Sequence, residues 1–218
     1  MGFQCFVFDF SGTLADTTPL LIDALNSLSG RYRLRPVAEE ERECLRKLNS
    51  SAAFKFVGIP RWKLPIIATQ VRSILAARMD QVKPVRPELP AVLVELHAAG
   101  RRMGIVTSND ADSVERFCEA NGLPQFDFIR SSGIFGKARI LHQTIHQFDL
   151  SPGDVVYIGD ETRDIEAAQK AGIVSAAVTW GSTDEEVLER YNPQFLFSSP
   201  LQILDLLTRR PGLCLGFG

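Results

Sequence analysis

The amino-acid sequence predicts an α/β protein with a doubly wound parallel sheet and an inserted helical lobe. Short apolar runs alternate with helical stretches over most of the 218 residues, as in parallel sheets that are covered by helices on both faces. Residues 19–85 interrupt this alternation, because they contain helical patterns and no apolar run typical of a strand. A chain of this length can hold one large domain together with such an insertion.

Six apolar runs of strand length define the predicted sheet. Such runs, bounded by polar or turn-forming residues, are typical of buried strands. The predicted strands are Phe3–Phe8, Met103–Thr107, Phe126–Ile129, Val155–Ile158, Ser175–Thr179 and, at the edge of the sheet, Phe195–Phe197.

The helical stretches between these strands have recognisable ends. Ala111–Ala120 stops at Asn121-Gly122, and Thr162–Ala171 stops at Gly172, which are common residues after the last turn of a helix. Gly136-Lys137 opens a further helical stretch that runs through Gln147.

Residues 19–85 are predicted to form the inserted lobe, and residues 1–18 and 86–218 the main domain. Pro84-Val85-Arg86-Pro87 is interpreted as the linker back into the main domain. Phe54, Phe56 and Trp62 are expected in the apolar core of the lobe. Its helical patterns lie around Leu20–Leu28, Glu39–Leu48 and Lys63–Met79.

Composition and charge exclude several classes of protein. Hydrophobic residues make up 45% of the chain and charged residues 23%, which argues against a disordered chain or a fibre. The 24 basic and 26 acidic residues give a net charge of −2, which gives no case for binding nucleic acid or a membrane surface. No apolar run approaches the roughly 18 residues that a membrane span needs. The sequence leaves the oligomeric state open.

The cysteines and the start of the chain favour a cytoplasmic protein. No C-x-x-C pair is present, and scattered cysteines of this kind fit a reducing compartment. The first apolar run lacks a basic leader and ends in Asp9, unlike a signal peptide. The four cysteines are Cys5, Cys44, Cys118 and Cys214.

Charge is distributed unevenly between the two predicted parts. Leu20 to Val85 contains 12 Lys or Arg against 6 Asp or Glu, whereas the remainder contains 12 against 20. A basic lobe beside an acidic main domain suits a small anionic partner held between them, although solvated charged helix faces would give the same count.

Four polar motifs lie at the predicted carboxyl ends of strands, where open α/β sheets bind their ligands. Each has an ordinary structural explanation when it is taken alone: a turn-forming Asp, a helix cap, a surface Lys and a partner for a helix dipole. Together they supply the carboxylates that Mg²⁺ prefers and the cation, hydroxyls and nucleophile that phosphoryl transfer needs. The motifs are Asp9-Phe10-Ser11-Gly12-Thr13, Thr107-Ser108-Asn109-Asp110, Gly136-Lys137, and Gly159-Asp160 with Asp164.

These motifs resemble those of the haloacid dehalogenase superfamily, in particular its phosphoglycolate-phosphatase-like branch. The superfamily pattern is D-x-D-G-T, a strand ending in Thr or Ser, a Lys, and G-D-x-x-x-D. The resemblance implies a Rossmann-like core with a helical cap domain, and Mg²⁺-dependent hydrolysis of a small phosphorylated metabolite. Further similar stretches are Leu14-Ala15-Asp16-Thr17, Gly104-Ile105-Val106-Thr107-Ser108-Asn109 and Val178-Thr179-Trp180-Gly181.

The resemblance also implies roles for residues that would hold a metal ion. Asp9 would be the nucleophile that forms an aspartyl-phosphate, and its carboxylate would contact Mg²⁺. The backbone carbonyl of Ser11 and the carboxylate of Asp160 would be further ligands. Asp164 would be a ligand or would orient one.

A second set of residues would bind the phosphoryl group. The Thr107 hydroxyl would donate to its oxygens, with help from Ser108 and from amides around Gly12. Lys137 would offset the negative charge of both the nucleophile and the phosphate.

Ser11 departs from the superfamily pattern, because phosphatases carry a general acid–base Asp at that position. Three interpretations follow: a weakened phosphatase, a phosphate-binding or regulatory relative, or a deliberate change of this residue. The metal-free dehalogenase branch, with D-x-Y-G-T, is disfavoured by the retained Gly159-Asp160. A phosphonate-cleaving relative would need a Schiff-base lysine in the lobe, for which the formal candidates are Lys47, Lys55 and Lys63.

His142 and His146 are four residues apart on a predicted helix, a spacing also found in zinc-binding helices. Gln143 stands where H-E-x-x-H has its Glu, and no third ligand is evident in the sequence. We therefore expect no zinc site from the sequence pattern.

Overall fold

A computed structural model describes residues 2–46, 50–132 and 136–208 of the chain. Six parallel strands form one sheet in the order β3-β2-β1-β4-β5-β6, so the chain starts at the centre and builds outward on both sides. This confirms the predicted doubly wound parallel sheet. The strands are β1 (Cys5–Phe8), β2 (Arg102–Thr107), β3 (Phe128–Ser131), β4 (Val155–Gly159), β5 (Val174–Val178) and β6 (Phe195–Phe197).

Helices cover both faces of the sheet, because neighbouring residues of each strand enter different apolar clusters. Phe6 and Phe8 pack in one cluster with Leu93 of a helix that precedes β2. Cys5 and Val7 point to the other face. The α-helices within residues 86–132 and 136–208 are α5 (Leu89–Ala98), α6 (Ala111–Ala120), α7 (Lys137–Gln147), α8 (Thr162–Ala171) and α9 (Glu185–Glu189).

Two strands begin later than the apolar runs predicted. Phe3 and Phe126 are only 0% and 8% exposed, yet they lie outside β1 and β3. The Phe126 ring packs edge-on against Phe8, with ring centroids 6.4 Å apart. An apolar run indicates that residues are buried, and it does not show that they belong to a strand. Phe3 and Phe126 are buried in the core outside the strands.

The segment between β1 and α5 is helical in all of its described elements, and α1 packs against α4. The predicted helix around Glu39–Leu48 is a 3₁₀ turn at Glu39–Glu41 followed by a short α-helix, and residues 47–49 lie outside the described residues. The α-helices among the described residues of this segment are α1 (Thr18–Tyr32), α2 (Arg42–Arg46), α3 (Ser50–Phe56) and α4 (Leu64–Ala77).

Trp62 corrects one expectation about this segment, because its side chain is 75% exposed and lies outside the apolar core. It belongs to a 3₁₀ turn at Arg61–Lys63, and the Lys63 ammonium lies 5.0 Å from the centre of its ring. Phe54 and Phe56 are partly buried against the core, as expected.

The two ends of the segment between β1 and α5 lie side by side. Ala15 and Pro84 form an antiparallel bridge. The Asp16 N–H donates to the carbonyl of Lys83, and the Val85 N–H to that of Leu14, both at 2.9 Å. The predicted linker is thus paired with the segment that follows the first motif.

None of the helices in the described part of the chain is long and apolar enough to cross a membrane.

Candidate active site

The carboxyl ends of the central strands bring the four sequence motifs to one edge of the sheet. Phe8 is in register with Ile105 of β2 and with Ile158 of β4. Asp9 therefore follows β1 close to the ends of both neighbours, and its N–H donates to the Ile158 carbonyl at 2.8 Å. Burial of the polar side chains here distinguishes this edge from an ordinary solvated loop.

Three buried carboxylates lie together at this edge. One oxygen from each of Asp9, Asp160 and Asp164 falls within 4.8 Å of the others. Burial, followed by the charges of Asp164 and Asp160, raises the pKa of Asp9 to about 6, against the opposing effect of Lys137. Such a cluster stores electrostatic repulsion that a cation can relieve.

Lys137 joins two of these carboxylates. Its Nζ lies 2.8 Å from Asp9 Oδ1 and 2.5 Å from Asp164 Oδ1, and all three side chains are buried. Burial lowers the lysine pKa, but Asp164 and Asp9 outweigh it and hold the pKa above its usual value. A cation at the first residue of α7 opposes the helix dipole, and the two carboxylates supply the negative charge that offsets this.

Asp160 is fixed by donors from two distant loops. The Thr13 hydroxyl donates to Oδ1, and the N–H and hydroxyl of Ser182 both donate to Oδ2, each at 2.9 Å. Burial raises the pKa of Asp160, whereas these hydrogen bonds lower it. The carboxylate is therefore held in one orientation, toward the other two acids.

Gly12 contributes space at this edge of the sheet, where sequence analysis expected the amides around it to help bind the phosphoryl group. Its N–H donates to the carbonyl of Ala15 at 2.9 Å, so the backbone satisfies this group within the loop. A Cβ at Gly12 would lie 2.4 Å from Asp160 Oδ2, and its φ of +80° is in the left-handed region. Only glycine lets this loop approach Asp160 so closely.

Ser11 and Thr107 are linked by one side chain that sequence analysis did not assign to the site. Asn109 Nδ2 donates to Ser11 Oγ at 3.0 Å and to Thr107 Oγ1 at 3.1 Å. The Asn109 N–H also donates to Thr107 Oγ1, at 3.1 Å. Because both hydroxyl oxygens already accept, their hydrogens are left to donate to another group. Ser108, between Thr107 and Asn109 in the sequence, is partly exposed at the same strand end.

In the loop after β2, the residue that caps a helix is Asp110 and not Thr107. The Asp110 carboxylate accepts from the Ser113 N–H at 3.1 Å and caps α6. Thr107 lies at the end of β2 and is almost fully buried. Its hydroxyl is therefore not used to begin the helix.

Tyr157 is a second residue that sequence analysis missed. Its buried hydroxyl lies 3.0 Å from the carbonyl of Val106 and 3.4 Å from Asp164 Oδ1. Asp164 Oδ2 accepts from the Glu161 N–H at 3.0 Å, so the carboxylate is held at both oxygens. The one available clue was a phenol in an otherwise aliphatic strand, since a buried hydroxyl needs a partner.

Comparison with known proteins shows which proteins this chain is similar to. Residues 6–178 match the sequence profile of haloacid dehalogenase-like hydrolases. The chain is 29% identical over 208 residues to a phosphoglycolate phosphatase of Synechococcus elongatus, covering 94% of this chain and 98% of that protein. It is 25% identical over 214 residues to a pyrophosphatase of Bacillus cereus, covering 95% and 98%.

A solved structure shares the fold over nearly its whole length. A haloacid dehalogenase-like hydrolase of Streptococcus pneumoniae superposes with a TM-score of 0.79 at 22% identity, covering 93% of this chain and 97% of that one. The profile match spans most of the chain, including the motifs that follow β1, β2 and β4. The protein therefore belongs to the haloacid dehalogenase-like hydrolase family.

Proposed function

We propose that this protein is a Mg²⁺-dependent phosphatase that hydrolyses a small phosphate monoester through attack by Asp9. The observation that carries the proposal is the buried contact of Lys137 with Asp9 and Asp164. A carboxylate held beside a permanent cation is suited to attack an anionic phosphoryl group, because the cation offsets the repulsion between them.

The donor set fits a hard divalent cation. The three buried carboxylates carry more negative charge than Lys137 alone offsets, and oxygen ligands are those that Mg²⁺ prefers. The proposed ligands are Asp9, the backbone carbonyl of Ser11 and Asp160, with Asp164 as a ligand or as a group that orients the others. The metal would supply positive charge at the phosphoryl oxygens during transfer.

The phosphoryl group is proposed to lie between Thr107 and Lys137. The two hydrogen bonds that Thr107 Oγ1 accepts from Asn109 support this, because they leave the hydroxyl hydrogen to donate. Ser108 is proposed as a further donor. Amides around Gly12 are proposed as additional donors. The N–H of Gly12 itself is used within the loop, and this residue also allows the close approach to Asp160.

The reaction would proceed in two displacements at phosphorus. An Asp9 carboxylate oxygen bonds to phosphorus, the ester P–O bond breaks, and the leaving oxygen takes a proton. Water then attacks the aspartyl-phosphate, which releases inorganic phosphate and restores Asp9. Both steps need a proton carrier, and Ser11 offers only a neutral hydroxyl where a carboxyl group would serve.

The substrate is proposed to be a small phosphorylated metabolite held between the core and the helical segment. Residues 19–85 are proposed as the cap domain over a core of residues 1–18 and 86–218. The paired crossings at Ala15 and Pro84 support this division, and the excess of basic residues in the segment supports an anionic substrate. A cytoplasmic setting is proposed from the free thiols of Cys5, Cys44 and Cys118, whereas Cys214 lies outside the described residues.

Ser11 favours a second candidate, a phosphate- and metal-binding protein that does not turn over. Binding of Mg²⁺ and inorganic phosphate without hydrolysis of any ester would support that candidate. The phosphonate alternative has less support. Lys63 Nζ contacts the carbonyl of Tyr32 within the helical segment, Lys55 is exposed, and Lys47 lies outside the described residues.

A panel of phosphate monoesters, assayed with and without Mg²⁺, tests the proposal. We expect slow, Mg²⁺-dependent release of phosphate, and an increase of about 10²–10⁴-fold in Ser11→Asp, the usual worth of general acid–base catalysis. Ser11→Ala is the matched control, because it changes the same position without adding a carboxyl group. Equal rates in the Ser11→Asp and Ser11→Ala variants would contradict the role given to position 11.

A further inference from the structure

Two histidines lie on the exposed side of α7, one helical turn apart. The Nε2 atoms of His142 and His146 are 3.3 Å apart, and both side chains are exposed. Their spacing alone gave no reason to expect a metal, but the structure adds the distance between the two nitrogens. Lys137, at the start of the same helix, is buried on the opposite side, so the histidines are separate from the acidic cluster.

The distance between the nitrogens matches a tetrahedral zinc site. Zinc holds imidazole nitrogens at about 2.0–2.1 Å, so two of them at a tetrahedral angle lie about 3.3–3.4 Å apart. Ligands at right angles, as in a square-planar or octahedral ion, would be about 2.9 Å apart. The observed 3.3 Å fits the tetrahedral case.

A hydrogen bond between the two rings is the other explanation of this geometry. The two Nε2 atoms are 3.3 Å apart, near the long end of such bonds, whose donor–acceptor distances are about 2.7–3.2 Å. Both rings are exposed, so water competes for the same nitrogens and little net free energy is gained from such a bond.

We propose that His142 and His146 bind one Zn²⁺ at the surface of α7 through their Nε2 atoms. Among the residues that the structure describes, His, Cys, Asp and Glu form one cluster of three or more, and it is the acidic one at Asp9. Water therefore completes the coordination, and the ion is open to exchange with solution. It joins two consecutive turns of the helix whose first residue is Lys137.

Zinc binding to the untagged protein tests this proposal by equilibrium dialysis, in the presence of excess Mg²⁺ to compete at the acidic cluster. We expect the wild type to bind one more zinc ion than His142→Ala or His146→Ala. His97→Ala is the matched control, since His97 is an exposed histidine on α5, and it should bind as the wild type does. Zinc should also raise the thermal unfolding midpoints of the wild type and of His97→Ala. The increase should be smaller in the two α7 variants.

The proposal would be overturned by equal zinc binding in the wild type and in either α7 variant. Co²⁺ gives a second measurement that is independent of stoichiometry, because tetrahedral Co²⁺ absorbs visible light much more strongly than octahedral Co²⁺. A strong absorption that disappears in His142→Ala and in His146→Ala would support the tetrahedral pair. A weak, octahedral spectrum in the wild type would overturn it. Neither measurement depends on phosphatase activity.

Discussion

Asn109 donates its side-chain amide to the hydroxyl oxygen of Ser11 at 3.0 Å, across 98 positions of sequence. The same amide donates to Thr107, so one side chain orients two hydroxyls at the site. Each hydroxyl keeps its hydrogen, which could be donated to a phosphoryl group. The Ser11 hydroxyl is thus held by a residue that follows the neighbouring strand β2.

Asn109→Asp should weaken the binding of phosphate. The new carboxylate can accept the two hydroxyl hydrogens, and its charge repels an anion in the same space. We expect a higher KM for any phosphate ester that the protein hydrolyses and a higher inhibition constant for inorganic phosphate. Asn192→Asp, an exposed position outside the site, makes the same chemical change and should leave both values unaltered. An unchanged inhibition constant in Asn109→Asp would contradict the orienting role.

Asp9→Asn should abolish hydrolysis, because the amide cannot form the aspartyl-phosphate. The measurement is phosphate release, together with a search for phosphoprotein in acid-quenched samples. Asp110→Asn, at the cap of α6, is the control for loss of a carboxylate elsewhere, and it should retain activity. Full activity in Asp9→Asn would refute the assignment of the nucleophile.

Tyr157→Phe should raise the Mg²⁺ concentration needed for half-maximal activity. The hydroxyl contacts Asp164, and its loss also leaves the buried carbonyl of Val106 without this donor, at a cost of about 1–3 kcal/mol in the free energy of unfolding. Chemical denaturation gives the stability change, and a Mg²⁺ titration of the rate separates positioning from folding. Tyr191→Phe, at a more exposed tyrosine, is the control. A stability loss with an unchanged Mg²⁺ requirement would show that Tyr157 is structural only.

Mg²⁺ should stabilise the fold more at pH 8 than at pH 5. Burial and the neighbouring acids raise the pKa of Asp9 from 3.8 to about 6. Between those values the folded state binds a proton that the unfolded state lacks, so the metal-free protein loses stability as pH rises through this range. Burial also raises the pKa of Asp160, and it raises the pKa of Glu161 to about 7.

The pH effect is measured as the shift in thermal unfolding midpoint on adding Mg²⁺ at each pH. Metal ligands must be deprotonated, so the shift should be small at pH 5 and grow through pH 6. In Asp9→Asn the shift should depend less on pH. A shift of equal size at pH 5 and pH 8 would contradict the argument.

Much of the fold followed from local patterns in the sequence. The apolar runs marked all six strands because a strand buried on both faces needs apolar residues almost throughout. The site followed from a topological rule, since polar residues after β1, β2 and β4 must meet at the same edge. Both inferences use only the order of residues along the chain.

Contacts between distant segments could not be predicted in the same way. Ser182 donates to Asp160, and Asn109 to Ser11, yet neither pair has a sequence spacing that would indicate the contact. Trp62 was expected in the core because it is large and apolar, but its turn directs it toward water. Such details depend on loop conformation, which is set by the packing of the completed fold.

The pairing of Ala15 with Pro84 has a consequence for how such a protein can diversify. The two ends of the helical segment are only a strand's width apart, as closely spaced as the two arms of a hairpin. A segment of another length or shape can therefore replace residues between them without changing strand order, register or the acids at the sheet edge. The helical segment and the three acids at the sheet edge thus occupy separate stretches of the chain, so that one can be exchanged while the other is kept.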